Sequence, residues 1–123
     1  RFVWQGLKYG NAEAAFQSSK CENERERKAF CDCSADKAVL KGREVVPPAG
    51  WENERLSIME SVLTAKFSQN PMMMKRLVET GNRLLINGNS KGETYWGVDL
   101  YTWEGENMLG KLLMKIREKE MTK

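Results

Sequence analysis

Histidine is absent from this sequence, and the absence excludes more chemistry than any single residue present. Without imidazole there is no Ser-His-Asp or Cys-His relay, and a zinc site would rest on thiolates and carboxylate alone. The cysteines do not supply one. Only Cys21, Cys31 and Cys33 occur; an odd number cannot all pair, and the close pair at 31 and 33 lacks the second pair that structural zinc sites use. They read as reduced thiols, in keeping with a cytoplasmic location. No metal and no cofactor is expected. Apolar runs are short as well: none approaches the roughly 20 residues of a membrane helix, so no membrane partner is expected. No secretory pattern of basic start, apolar stretch and small-residue cleavage site is seen. An excess of positive charge is missing too. Twenty basic and seventeen acidic side chains leave a net charge of +3, far short of the basic footprint of a dedicated nucleic-acid binder. A nucleic-acid partner is allowed by this balance but not demanded.

What remains is an ordinary globular composition, 41% hydrophobic and 30% charged over 123 residues, which is the length of one domain. The chain starts at Arg1 rather than Met, and Phe2-Val3-Trp4 begins abruptly, so a preceding segment is expected. Phe2 to Tyr9 is β-prone and broken by Gly6, giving two strands joined by a turn or one bent edge. Asn11 is placed to cap a helix running to about Lys20, with Glu13 in its first turn. The charge-dense stretch Glu22 to Ala29 reads as an exposed helical turn or two. Ser34 caps a further helix that ends at Gly42, where a glycine's left-handed tolerance suits the residue after a helix. Val45 and Val46 read as a short strand stopped by Pro47 and Pro48. From Trp51 to Ser68, Leu56, Met59, Val62, Leu63 and Phe67 recur at helical spacing. Asn70 and Pro71 start another helix, which Gly81 stops. The run Met72, Met73, Met74 reads as adaptable packing rather than a thioether site. Arg83 to Asn87 is predicted as a strand followed by a turn, and Leu109, Leu112, Leu113 and Ile116 mark a final helix.

Two stretches carry chemistry-bearing residues. Glu13, Gln17 and Lys20 fall on one side of the first helix, although the same spacing also describes a solvated polar stripe. The loop from Glu93 to Asn107 collects Tyr95, Trp96, Tyr101, Trp103, several acids and two glycines ahead of a helix. Loops of this composition form ligand walls or pack aromatic groups into a core. Asn107 sits at the helix start, where backbone N–H groups can hold a phosphate or carbonyl oxygen, or where it acts as a plain cap.

In these same stretches the sequence resembles the YbiA-like, or NADAR, family. The run from Tyr9 to Lys20, Tyr-Gly-Asn-Ala-Glu-Ala-Ala-Phe-Gln-Ser-Ser-Lys, is similar to the family signature of an aromatic, a Glu, a Gln and a Lys at these offsets. Further similarities follow in order: Lys41-Gly42-Arg43, Trp51 with Met59 and Ala65-Lys66-Phe67, Thr80-Gly81, Tyr95-Trp96-Gly97, Asn107-Met108-Leu109-Gly110, Leu113-Met114 and Ile116-Arg117. They cover nearly the whole chain from Gly6. Two departures stand out. The family's N-terminal Ser-Asn-Phe segment has no counterpart after Arg1, and Glu93 stands where an Asp is usual before the Tyr-Trp-Gly motif.

The resemblance implies a single α+β domain over residues 1–123, mainly helical with a few short strands, that binds nucleotide-like small molecules. It implies an N-glycosidase acting on a bond between a base and a ribose phosphate or ADP-ribose, such as a riboflavin-biosynthesis intermediate or ADP-ribosylated guanine in nucleic acid. Breaking such a C1′–N bond builds oxocarbenium character on the sugar and calls for negative charge near C1′ and a proton for the leaving base. Glu13 is then expected as general acid/base or cation stabiliser, and Lys20 as nucleophile or phosphate contact. Trp96, flanked by Tyr95 and Gly97, is expected to stack on the base, while Gln17, Asp99 and Asn107 orient hydroxyls or phosphate. The other class of reading is a module that binds ADP-ribose or a related nucleotide without turning it over. Oligomeric state is left open by the sequence.

Overall fold

A computed structural model describes residues 1–123, and its secondary structure begins with a hairpin made by two residues of unusual backbone. Gln5 (φ 48°) and Gly6 (φ 81°) both lie in the left-handed region, the pattern of a two-residue type I′ turn, whose twist matches that of paired strands. Strand β1 (Phe2–Trp4) thereby pairs antiparallel with β2 (Leu7–Tyr9), Phe2 opposite Tyr9 and Trp4 opposite Leu7. Phe2, Trp4, Leu7 and Tyr9 are buried while Val3 and Lys8 are exposed, the period of two that a half-buried ribbon requires. The outer edge of β1 is covered by a side chain. Val3 N–H donates to Gln69 Oε1 at 2.7 Å, and Gln69 Nε2 donates to the Val3 carbonyl at 2.8 Å, so one carboxamide stands in for a third strand.

Helix α1 (Ala12–Ser18) is capped by Asn11, whose Oδ1 accepts from Ala14 N–H at 2.9 Å. It stops short of Lys20 because Ser19, Lys20 and Cys21 donate to the carbonyls of Phe16, Gln17 and Ser18, the tighter bonding common in a final turn. Helix α2 (Glu24–Lys28) buries nothing, as its charge density implied. Helix α3 (Ala35–Gly42) is capped by the Ser34 hydroxyl. Helix α4 (Trp51–Ser68) buries Trp51, Met59, Val62 and Leu63, whereas Leu56 and Phe67 of the expected stripe are only half-buried. The predicted strand at Val45 and Val46 does not form: Val45 N–H continues the helical turn to the Gly42 carbonyl, and Val46 is exposed. These elements make the first compact unit, residues Arg1–Pro71, around a core of Phe2, Trp4, Leu7, Tyr9, Ala14, Ala15, Phe30, Ala38 and Val62.

The second unit, Met72–Lys123, contains nearly all of α5 (Pro71–Glu79). Asn70 directly precedes this helix and Pro71 is its first residue, and the Asn70 amide donates to the carbonyls of Lys66 and Arg1. Gly81 (φ 65°) supplies the left-handed stop after α5. Arg83 to Asn87 is irregular rather than a strand. Leu84 is 70% exposed and Ile86 44%, so the apolar face that a strand here would present is left uncovered. The sheet is only the two-residue parallel pair β3 (Gly88–Asn89) and β4 (Val98–Asp99). Helix α6 (Met108–Met121) buries Leu112 and Ile116, and Arg117 Nη1 donates to Thr80 Oγ1 at 2.8 Å. The architecture is therefore mainly helical α+β with two small strand pairs. No helix is long and apolar enough to cross a membrane.

Tyr9 is wholly buried, and its hydroxyl lies 2.8 Å from Ser18 Oγ. Because Ser18 donates its own proton to the Ala15 carbonyl, Tyr9 is the donor of the pair. Tyr9→Phe leaves Ser18 with its donor bond intact and is expected to cost about 1 kcal/mol in urea unfolding. Burial also pushes the Tyr9 phenol above its ordinary value of 10.0. The neutral phenol is thus favoured by folding: its contribution is intact below the unfolded value and is lost as pH rises through the folded one. Stability measured across the alkaline range should fall less steeply in Tyr9→Phe than in the parent.

Candidate active site

Small side chains bring α1 and α3 close together. Ala14, Ala15 and Ser18 on α1 and Ala38 and Gly42 on α3 are all buried, and such residues let helix backbones approach with little between them. Along the flank of this contact runs the stripe Glu13, Gln17 and Lys20. Gln17 is buried, and its Nε2 donates to Glu13 Oε1 at 3.0 Å. Glu13 and Lys20 are half-buried. Lys20 turns the other way: its Nζ reaches the Gly42 carbonyl at 3.4 Å and lies 5.2 Å from the centre of the Trp51 ring. Glu13 and Lys20 share a face, as the spacing predicts, but do not form an ion pair; Gln17 stands between them. Direct proton exchange across this face is therefore not built in.

Trp51 is a member of this group that spacing within α1 could not reveal. Its Nε1 donates to Ser19 Oγ at 2.9 Å, and its ring packs on Phe16 with centroids 5.4 Å apart. An aromatic face beneath an ammonium is an attractive electrostatic contact. Gly42 is the second such residue. Its backbone is not left-handed, so the reason first read for a glycine there does not hold; it is the last residue of α3, with Arg43 as the cap. A Cβ at Gly42 would overlap Gln17 Oε1 and come within 2.8 Å of Gln17 Cδ. On α4, following Met59 and Leu63 in helical spacing, Lys66 has its amine held by burial below the ordinary lysine value.

In the second unit the aromatic loop is tied by side-chain oxygens that accept from backbone N–H groups. Glu93 Oε2 receives Tyr95 N–H at 2.8 Å and Trp96 N–H at 2.9 Å, which explains how Glu serves where a shorter acid is usual. Asn89 Oδ1 receives Lys91 and Glu93 N–H, and Asp99 Oδ1 receives Tyr101 N–H. Tyr95 and Trp96, both half-buried, pack edge to face with centroids 4.8 Å apart. Gly97 is pressed against Asn87, whose carbonyl would overlap a Cβ there. Asn107 is indeed at the start of α6, in a left-handed conformation (φ 53°). Its side chain makes no cap: Oδ1 accepts from Asn87 N–H at 2.8 Å and Nδ2 donates to the Leu85 carbonyl at 2.8 Å. The N–H groups of Asn107, Met108 and Leu109 donate to the carbonyls of Gly97, Tyr95 and Trp96. The donors that were expected to meet a phosphate are thus spent on the loop itself.

The profile of the NADAR domain matches residues 1–120. The chain belongs to the NADAR family. Relatives agree with that membership. N-glycosidase R617 of Acanthamoeba polyphaga mimivirus is 38% identical over 104 residues, 74% of this chain and 61% of that protein. N-glycosidase YbiA of Escherichia coli (strain K12) is 30% identical over 116 residues, 92% of this chain and 71% of that one. The chloroplastic riboflavin biosynthesis protein PYRR of Arabidopsis thaliana is 31% identical over 90 residues, which make up 68% of this chain but 15% of the plant protein. The NMR structure of the E. coli protein YbiA superimposes with a TM-score of 0.85 at 27% identity, covering 98% of this chain and 73% of that one. The mainly helical α+β fold of this NADAR chain is therefore the fold of YbiA. The chain spans about 61% of the length of the mimivirus relative.

In this NADAR chain, Asn107→Ala removes two part-buried side-chain hydrogen bonds and puts alanine, which tolerates the left-handed region less well than asparagine, at φ 53°. It is expected to cost about 2–4 kcal/mol in denaturant unfolding. Asn107→Gly, which relieves only the backbone strain, should recover about 1 kcal/mol of that loss.

Proposed function

We propose that this chain is an N-glycosidase that hydrolyses the bond between a nitrogenous base and a ribose phosphate or ADP-ribose. The observation that carries the reading is the bonded pair of Glu13 and Gln17 beside the Lys20 ammonium on Trp51, in a NADAR chain two of whose relatives bear the name N-glycosidase. Cleavage of C1′–N leaves positive charge on the sugar; water supplies oxygen to C1′, and the base departs with a proton. A carboxylate held in place near C1′ stabilises that charge without reorganising, and this is the part assigned to Glu13. Gln17 holds Glu13 through its amide nitrogen. Lys20, with a carbonyl and an aromatic face around its ammonium, suits a phosphate contact better than attack on C1′. Lys66, the lysine whose charge burial disfavours, is the second amine to check for an adduct. Within the second unit, taken by itself, the edge-to-face pair of Tyr95 and Trp96 next to Gly97 offers an aromatic surface suited to stacking on a base, and Asp99 and Asn107 are assigned to support that loop. The similarity to a riboflavin biosynthesis protein favours a ribosylamino-pyrimidine phosphate as substrate; ADP-ribosylated guanine is the other candidate.

Release of free base from each of these two compounds, followed by chromatography, is the deciding assay. Glu13→Gln is expected to lower kcat by about 100-fold or more, and Lys20→Ala to raise KM more than it lowers kcat. Borohydride trapping with peptide mapping locates an amine adduct at Lys20 or Lys66 if one forms. A compound that binds tightly yet yields no base on prolonged incubation would sink the hydrolase reading and leave a binding module.

A further inference from the structure

We propose that Gly42 is a positioning residue: its bare Cα sets the Gln17 carboxamide so that the amide nitrogen faces Glu13, while its carbonyl receives the Lys20 ammonium. The inference rests on the functional reading of the α1 face given above. On local grounds glycine is a poor choice at this position. It lies within the last turn of α3 with an ordinary helical backbone, where alanine is the better helix former. The advantage of alanine is lost through space, since a Cβ would fall on Gln17 Oε1 and crowd Cδ at 2.8 Å and Cβ at 3.3 Å.

The carboxamide has little freedom to yield. Gln17 is 7% exposed, and its Oε1 is a buried oxygen that accepts no hydrogen bond. The protein holds the amide at its opposite end, where Nε2 donates to the Glu13 carboxylate. Rotating the amide by half a turn would set two oxygens against each other and aim an N–H at the Gly42 Cα. The orientation is thus decided from both ends, by an acceptor at Glu13 and by empty space at Gly42. Lys20 is bound to the same residue through the Gly42 carbonyl. One backbone unit therefore fixes the spacing of the acid and the ammonium, and it does so from α3, outside the helix that carries them.

The test is a double-mutant cycle of Gly42→Ala and Gln17→Ala, reading melting temperature and steady-state base release. Gly42→Ala alone should lower the melting temperature and lower kcat by about 10- to 100-fold, the cost of a small misplacement of a catalytic group, with KM less affected. In the Gln17→Ala background the overlap with Oε1 and Cδ is gone and only the 3.3 Å approach to the Cβ of residue 17 remains. There the same substitution should lower the melting temperature far less than it does alone and leave kcat at the Gln17→Ala level. A glycine needed only for helix packing would lower the melting temperature equally in both backgrounds, and that result overturns the proposal, as does full wild-type kcat in folded Gly42→Ala. If Gly42→Ala does not fold, a folded double variant melting near Gln17→Ala supports the proposal and a double variant that also fails to fold overturns it. Wild-type turnover in Glu13→Gln would show instead that the reading of the α1 face is wrong, whatever the cycle gives.

Discussion

Helix α1 is seven residues long and meets β2, α2, α3 and α4, and this crowding constrains everything around it. Where a neighbour comes close, only small side chains fit, hence Ala14, Ala15 and Ser18; where there is depth, Phe16 reaches Trp51. A helix so enclosed has one flank left for polar groups, and Glu13, Gln17 and Lys20 occupy it. The site inherits the rigidity of its surroundings. Groups on a packed helix whose neighbours hydrogen-bond and crowd them hold their geometry better than groups on a mobile loop.

The second unit solves a different problem. Between α5 and α6 it has too few alternating apolar residues to build a sheet of any size, so its backbone N–H groups must find other acceptors. Asn89, Glu93, Asp99 and the loop carbonyls provide them. Irregular backbone with its hydrogen bonds satisfied is ordered without being regular. Tyr101 and Trp103 remain largely exposed at its tip.

Much of this was legible in the sequence because the signals are local. The caps at Asn11 and Ser34, the span of α4, the exposed charge-rich α2, and Gly81 after α5 each depend on residues within a turn or two of one another. Local β propensity failed where no partner was available to bury it: Val45 N–H continues a helical turn, and Leu84 and Ile86 are left exposed. Asn107 looked like a cap by position, but its side chain serves Asn87 N–H and the Leu85 carbonyl instead.

Spacing alone placed Glu13, Gln17 and Lys20 on one face, since a helix repeats every 3.6 residues whatever surrounds it. Which way those side chains turn was decided only by tertiary structure. Gly42 and Trp51 are distant in sequence, and it is their close approach that sends Gln17 to Glu13 and Lys20 away from it. Period and capping are properties of a short segment, whereas the room available to a carboxamide is a property of two segments packed together, and no reading of either one contains it.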